Sequence, residues 1–224
     1  MNPSESRAER FFRRLKGKKV AICGMGTNNT PVVLQFLQKG ARVTACDRRN
    51  REQLGQAAAL LEEAGASLQL GDGYLQGLEG FDLILRTRMK PYLPEFEAAR
   101  DKGIAVTSEM ELFFSLCPAP IYGVTGSDGK STTTSVIAGL LEAGGKKVHL
   151  GGNIGRPLLP LIGEIGPEDA AVVELSSFQL TRMTQSPHVA VITNIAPNHL
   201  DWHTDMDEYV EAKRNLIAYQ QAGD

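Results

Sequence analysis

The sequence predicts an α/β protein of two units, a parallel-sheet unit over 1–118 and an unfinished α/β unit over 119–224. Three observations carry this reading. Short apolar runs alternate with helix-length segments, and many of the glycines fall directly after those runs, where strand-to-helix turns need them. Cys117-Pro118-Ala119-Pro120 interrupts the alternation, because two prolines in three residues favour an extended connector over a helix. Strands separated by crossover helices pair in parallel with right-handed connections, so each unit is a parallel sheet.

Taken in order, Lys19–Cys23 reads as a strand, Pro31–Lys39 as a helix and Arg42–Cys46 as a strand. A helix over Arg51–Ala64, strands at Ser67–Leu70 and Asp82–Leu85, a helix over Pro94–Lys102 and a strand at Ile104–Val106 complete a Rossmann-like first unit. The second unit opens with a strand at Ile121, a glycine-rich loop and a helix. Strands follow at Lys147–Leu150, Ala171–Leu175 and Val189–Thr193. A last helix is expected over Met206–Tyr219, with Asp207 and Glu208 in its first turn as the helix dipole prefers. The chain stops soon afterwards with few strands in this unit, which reads as a fragment.

Composition narrows the function. With 24 Lys and Arg against 26 Asp and Glu, the chain lacks the surplus of clustered cations that phosphate-backbone binding requires, so no nucleic-acid partner is expected. The basic cluster Arg7, Arg10, Arg13, Arg14, Lys16, Lys18 and Lys19 has the spacing of a solvated helix face. Cys23, Cys46 and Cys117 show no paired spacing, and two of them lie in apolar strand-like runs, as suits a reducing compartment. No apolar run reaches the roughly 18 residues of a membrane span, and the first residues lack the apolar segment of a secretory signal. The expected location is the cytoplasm without membrane insertion, and nothing specifies an oligomeric state.

The strongest chemical signal is Ile121-Tyr-Gly-Val-Thr-Gly126-Ser127-Asp128-Gly129-Lys130-Ser131-Thr132. A strand leading through glycines into a helix lets backbone N–H groups close round phosphate oxygens at the positive end of the helix dipole. Lys130 would neutralise the β- and γ-phosphates, and Ser131 or Thr132 would offer a hydroxyl to Mg²⁺. The strict G-x-x-x-x-G-K-[ST] pattern places its first glycine at Val124, flanked here by Gly123 and Gly126. A glycine-rich turn followed by a chance Lys-Ser is the plainer alternative.

Thr125-Gly-Ser-Asp-Gly-Lys-Ser-Thr132 resembles the T-G-T-N-G-K-[ST] loop of the Mur ligases, the ATP-dependent amide ligases of peptidoglycan precursor synthesis. Gly151-Gly-Asn-Ile-Gly155, Glu174-Leu-Ser-Ser-Phe-Gln-Leu180 and Asn194-Ile-Ala-Pro-Asn-His-Leu-Asp201, leading to Tyr209-Val-Glu-Ala-Lys213, follow in that family's order. The Glu174–Leu180 string is similar to that of the D-glutamate-adding member, and the resemblance covers nearly the whole chain and about the first half of such an enzyme. It implies UDP-N-acetylmuramoyl-L-alanine and D-glutamate as substrates, ATP and Mg²⁺, and an acyl-phosphate intermediate. A half enzyme is expected to be inactive alone.

The resemblance also implies roles. Gly126, Ser127, Asp128, Gly129, Lys130, Ser131 and Thr132 would bind ATP, and Lys130, Glu174, His199 and Lys213 would serve catalysis. Ser131, Glu174, His199 and Lys213 would hold metal, Lys213 as a carbamate. A carbamate turns a cation that two Mg²⁺ would repel into an anionic oxygen ligand. Asn153, Ser176, Ser177 and Gln179 would contact or shape the muramoyl-alanine pocket. Read from the residues alone, Glu174 ends an apolar strand where α/β folds present ligands, or caps a neighbouring helix. His199 follows another strand, or is a surface-turn histidine, and Lys213 is a helical lysine.

In the first unit, Gly24-Met-Gly26-Thr27-Asn28-Asn29 after the first strand and Asp47 after the second form a partial G-x-G-x-x-G fingerprint, with Asn29 in place of the last glycine. In the family this unit holds the uridine diphosphate, so Gly26, Thr27, Asn28, Asp47 and Arg49 are its candidates; an ordinary tight turn is the alternative. Three departures stand out. Asp128 replaces the usual Asn, Asn198 replaces the usual Asp, and Arg86-Thr87-Arg88-Met89-Lys90-Pro91 lacks the expected Ser/Thr-Pro-Gly turn. The competing readings are another Mur ligase or folylpolyglutamate synthase, a dinucleotide oxidoreductase that leaves Gly126–Thr132 unused, and a non-catalytic nucleotide-binding module.

Overall fold

The computed structural model describes residues 5–25, 29–87, 89–197 and 202–224. The chain divides into two compact units between Glu109 and Met110, and each is an α/β layer structure built on a parallel sheet. Among the described residues no helix is long and apolar enough to cross a membrane.

In the first unit the strands β1 (Lys19–Cys23), β2 (Arg42–Asp47), β3 (Ser67–Leu70), β4 (Leu83–Arg86) and β5 (Ala105–Ser108) pair in the order β3-β2-β1-β4-β5. That is the Rossmann order, with the switch in direction between β1 and β4. Both neighbours of β1 are parallel to it, with Cys23 opposite Cys46 on one side and opposite Arg86 on the other. Val20, Ala21, Ile22, Ile84, Leu85 and Phe96 are buried between sheet and helices. Each large apolar side chain so buried contributes about 1.5–3 kcal/mol against the unfolded chain. Cys23, Cys46 and Cys117 are buried and take part in no disulfide. A hydrogen bond with Cys46, with burial added, pushes the Cys23 thiol up, which makes it an inert packing group.

Helix α1 (Arg7–Leu15) starts at a capping box of Ser6 and Glu9 and seats Phe12 edge-on against Phe36 of α2 (Thr30–Gln38), ring centroids 5.3 Å apart. The single helix expected over Arg51–Ala64 is two, α3 (Arg51–Leu54) and α4 (Gln56–Glu63), because Gly55 takes φ +56° and turns the chain between them. Helix α5 (Pro94–Asp101) follows; α6 (Glu109–Leu116), an element the reading of the sequence did not include, starts at the division and falls in the second unit from Met110 on.

The second unit contains β6 (Ile121–Thr125), α7 (Lys130–Ala143), β7 (Val148–Gly152), β8 (Ala170–Glu174), the single turn α8 (Ser177–Leu180), β9 (Val189–Ile192) and α9 (Met206–Arg214). The strands pair in parallel in the order β7-β8-β6-β9. β6 is therefore the strand at which the connections change sides, and the loops after β6, β8 and β9 leave the same edge of the sheet. Ligands of α/β sheets bind at such an edge. The last helix ends at Arg214, short of the expected Tyr219. Past that point the bonds tighten to Leu216 N–Lys213 O and Ile217 N–Arg214 O, and the turn carries Leu216 into the core at 0% exposure.

Candidate active site

The glycine-rich loop after β6 is held in shape by its own chain. Gly126 has φ +148° and Gly129 φ +77°, and a Cβ on Gly126 would stand 1.9 Å from Thr193 Oγ1. Only glycine fits there. Thr193 and Asn194, just beyond β9, bind the loop from the side: Thr193 Oγ1 donates to Asp128 O at 2.6 Å, and Ser127 N donates to Asn194 O at 3.0 Å. Ser127 Oγ donates to Ala196 O at 2.8 Å and lies 2.9 Å from the Tyr209 hydroxyl. Helix α7 begins with the bond from Thr133 N to Gly129 O, so the N–H groups of Lys130, Ser131 and Thr132 precede its first internal donor.

Three charged side chains converge on this loop. Lys130 Nζ donates to Gly126 O at 3.0 Å and Ser127 O at 2.8 Å. Glu174, at the end of β8 and 1% exposed, accepts from Ser131 Oγ at 2.6 Å and from Asn153 Nδ2 at 2.7 Å. Asn153 reaches it because Gly152 takes φ +102° at a point where a Cβ would lie 2.2 Å from Glu174 O. Lys213, on α9 and 1% exposed, donates to Gly126 O at 2.8 Å and Thr125 Oγ1 at 3.3 Å, with its ammonium 4.6 Å from the Tyr209 ring centroid. Burial, and then the charge of Lys130, pull its pKa down from 10.5 to about 8.

The structure thus brings together Gly126–Thr132, Asn153, Glu174 and Lys213 of the expected site. Ser176 and Gln179, expected at the substrate pocket, form the capping box of α8, with Gln179 Oε1 accepting from Ser176 N and Oγ at 3.0 Å each. Ser177 is buried and lies 2.9 Å from His203 Nε2. His199, with Asn198 and Asp201, lies outside the described residues, as do Gly26, Thr27 and Asn28 of the first unit. Among the described residues no cluster of three or more His, Cys, Asp or Glu side chains forms a metal cage.

In the first unit, Asp47 and Arg49 close the turn after β1. Asp47 accepts from Met25 N at 2.5 Å and from Arg49 N at 2.9 Å, and it pairs with the Arg49 guanidinium, which also bonds Met25 O. Partial burial opposes ionisation of Asp47, yet these bonds to Arg49 and Met25 hold its carboxyl below the usual range. Gly24 has φ +92°, and a Cβ there would stand 2.2 Å from Thr87 Oγ1, so β1 and β4 approach closely at the switch point.

Reading the sequence gave no role to Thr193, Asn194, Tyr209 or His203, although Asn194 and Tyr209 open two of the segments quoted above. No local signal gives their contacts, which join segments more than twenty residues apart. The Ile-Ala-Pro-Asn run after β9 was the available clue, as a strand-exit loop at the same sheet edge as Gly126.

A glycine loop on the central strand of a parallel sheet, entering a helix and faced by a buried glutamate, defines an α/β protein of the P-loop kind. Residues 124–224 match the Mur ligase middle domain. It is 50% identical over 215 residues to UDP-N-acetylmuramoylalanine–D-glutamate ligase of Acetivibrio thermocellus, an alignment covering 96% of this chain and 46% of that protein. The enzyme of the same name from Clostridium kluyveri is 48% identical, with 96% and 47% covered. The chain spans about half the length of the curated relatives it matches. Two solved structures share the fold. They are UDP-N-acetylmuramate:L-alanyl-gamma-D-glutamyl-meso-diaminopimelate ligase from Neisseria meningitides (TM-score 0.56, 19% identity, 92% of this chain and 69% of that one) and a murein peptide ligase from Psychrobacter arcticus (TM-score 0.51, 18% identity, 92% and 48%).

Proposed function

We propose that this chain is the N-terminal half of an ATP-dependent ligase that joins D-glutamate to UDP-N-acetylmuramoyl-L-alanine. In this reading the γ-phosphoryl group of ATP passes to the terminal carboxylate of the muramoyl-alanine substrate, its bond to the β-phosphate oxygen breaks and ADP leaves. The amine of D-glutamate then attacks the acyl phosphate, expelling inorganic phosphate and leaving an amide; the amine proton goes to solvent or a nearby base. The observation that carries the reading is Glu174 standing between Ser131 and Asn153 at the mouth of the phosphate loop. Sequence similarity to the two D-glutamate ligases supports the choice of amino acid.

The donors fit Mg²⁺. Glu174 is a buried carboxylate whose hydrogen-bond partners, a hydroxyl and an amide, are neutral, so a divalent cation supplies the missing positive charge. Ser131 and Glu174 would hold it, with His199 as a further candidate. When bound, the ion neutralises charge on the transferring phosphoryl group.

The chain's own residues then do three things. The N–H groups at the start of α7 orient the phosphates, Lys130 leaves the loop carbonyls to meet phosphate charge, and Asn153 and Ser131 hold Glu174 in place. Lys213 suits a carbamate, since its buried ammonium bonds to neutral oxygens alone. Addition of carbon dioxide to the neutral amine, with loss of one proton, makes it an anionic oxygen donor. In the first unit, Asp47 and Arg49 are proposed to receive the uridine diphosphate end.

The test is amide formation from UDP-N-acetylmuramoyl-L-alanine, ATP and an amino acid by this chain fused to the C-terminal half of the A. thermocellus relative. Product with D-glutamate is expected. Product with meso-diaminopimelate or L-lysine alone would overturn the assignment.

A further inference from the structure

We infer that Asn194 is a positioning residue of the phosphate loop, fixing the Asp128 peptide so that phosphate is received by the N–H groups of Gly129–Thr132 and not by those of Ser127 and Asp128. The inference rests on the nucleotide reading above and adds to it which loop donors are withheld. The side-chain amide of Asn194 engages both polar groups of the Asp128 backbone: Oδ1 accepts from Asp128 N at 3.0 Å, and Nδ2 donates to Asp128 O at 3.2 Å. The hydroxyl of Thr193 adds a third bond, to the same carbonyl, at 2.6 Å. The neighbouring N–H, that of Ser127, is taken by the backbone carbonyl of Asn194 at 3.0 Å.

Two consequences follow for the ligand. A phosphate seeking the N–H of Ser127 or Asp128 must first break a formed bond, whereas the N–H groups of Lys130, Ser131 and Thr132 precede Thr133 N, the first internal donor of α7. The fixed peptide also sets where the exposed Asp128 side chain leaves the loop. Glycine at 126 is part of the same device, because any Cβ there collides with Thr193.

The test is heteronuclear NMR of the ¹⁵N-labelled chain with inorganic triphosphate and Mg²⁺, a probe that needs no adenine pocket, together with amide hydrogen exchange. Shifts are expected at Gly129–Thr132, with Ser127 and Asp128 little changed. Asn194→Ala removes the side-chain bonds but leaves the backbone bond to Ser127. In that variant the Asp128 N–H should exchange about tenfold faster while Ser127 does not, and triphosphate should bind about tenfold more weakly, the scale of one to two net hydrogen bonds. Unchanged Asp128 exchange, or the largest shifts falling on Ser127 and Asp128, would overturn the inference alone. No shift anywhere in 126–132 would overturn the nucleotide reading and the inference with it. Should Asn194→Ala fail to fold, the shift pattern of the unsubstituted chain still decides.

Discussion

Lys213 and Lys130 donate to one and the same carbonyl oxygen, that of Gly126, at 2.8 and 3.0 Å. Two cations thus share a single neutral acceptor, and burial first, then the charge of Lys130, leave their record in a Lys213 pKa lowered to about 8.

That record predicts a pH signature. Because the folded-state pKa of Lys213 lies near 8 and its ordinary value is 10.5, protonation favours the unfolded chain between those values. The penalty on folding is full below about pH 8 and disappears as pH rises through 10.5. Lys213→Met should therefore be the more stable protein at pH 7, by roughly 1–3 kcal/mol after allowance for screening. Urea titrations of both chains at pH 7 and pH 10 should show the gap closing, and a gap that widened with pH would contradict the buried-ammonium picture.

Glu174→Gln keeps the shape and the contact with Asn153 but removes the charge that a divalent ion needs. In the fused ligase it should lower kcat about 10²–10³-fold while leaving the unfolding midpoint in urea nearly unchanged. A variant with full activity would remove Glu174 from the metal site.

Glycine positions separate by geometry. Gly126→Ala and Gly152→Ala each meet a heavy atom at 2.2 Å or less with φ above +100°, and each should cost about 2–4 kcal/mol. Gly139, inside α7 with nothing near its missing Cβ, should gain about 0.5–1 kcal/mol as alanine. Equilibrium denaturation of the three variants checks the ordering.

Asp169 gives the acid limb. The N–H of Gly166 and then the ring of His149 lower its carboxyl from 3.8 to about 2, so its contribution is complete above about pH 4 and is lost as pH falls through about 2. Asp169→Asn should be less stable than the parent at pH 6, and denaturation midpoints should converge by pH 2. A constant difference across that range would show that the bonds do not depend on the charge.

The strands and the phosphate loop were legible because apolar alternation and glycine placement are local signals, and β1, β2 and β6 fall within a residue or so of where those signals place them. The break at Gly55 was not, because the flanking helical pattern runs through it and only the positive φ reveals the turn. Asn194 and Thr193 were hidden for a different reason: their partners lie 65 or more residues away in the chain, brought near by the pairing of β9 with β6. Lys213 is a helical lysine by any local rule, and its burial under the loop comes from where α9 packs. Ser176 and Gln179 carry a capping-box spacing, a signal open to reading before any substrate role.

The central claim, that a carboxylate is activated by phosphoryl transfer at this loop, is tested most directly by isotope transfer. UDP-N-acetylmuramoyl-L-alanine labelled with ¹⁸O in its terminal carboxylate is turned over with ATP and D-glutamate by the fused ligase, and the released phosphate is analysed by mass spectrometry. An acyl-phosphate route delivers one ¹⁸O to each phosphate. Amide formation with unlabelled phosphate would contradict it.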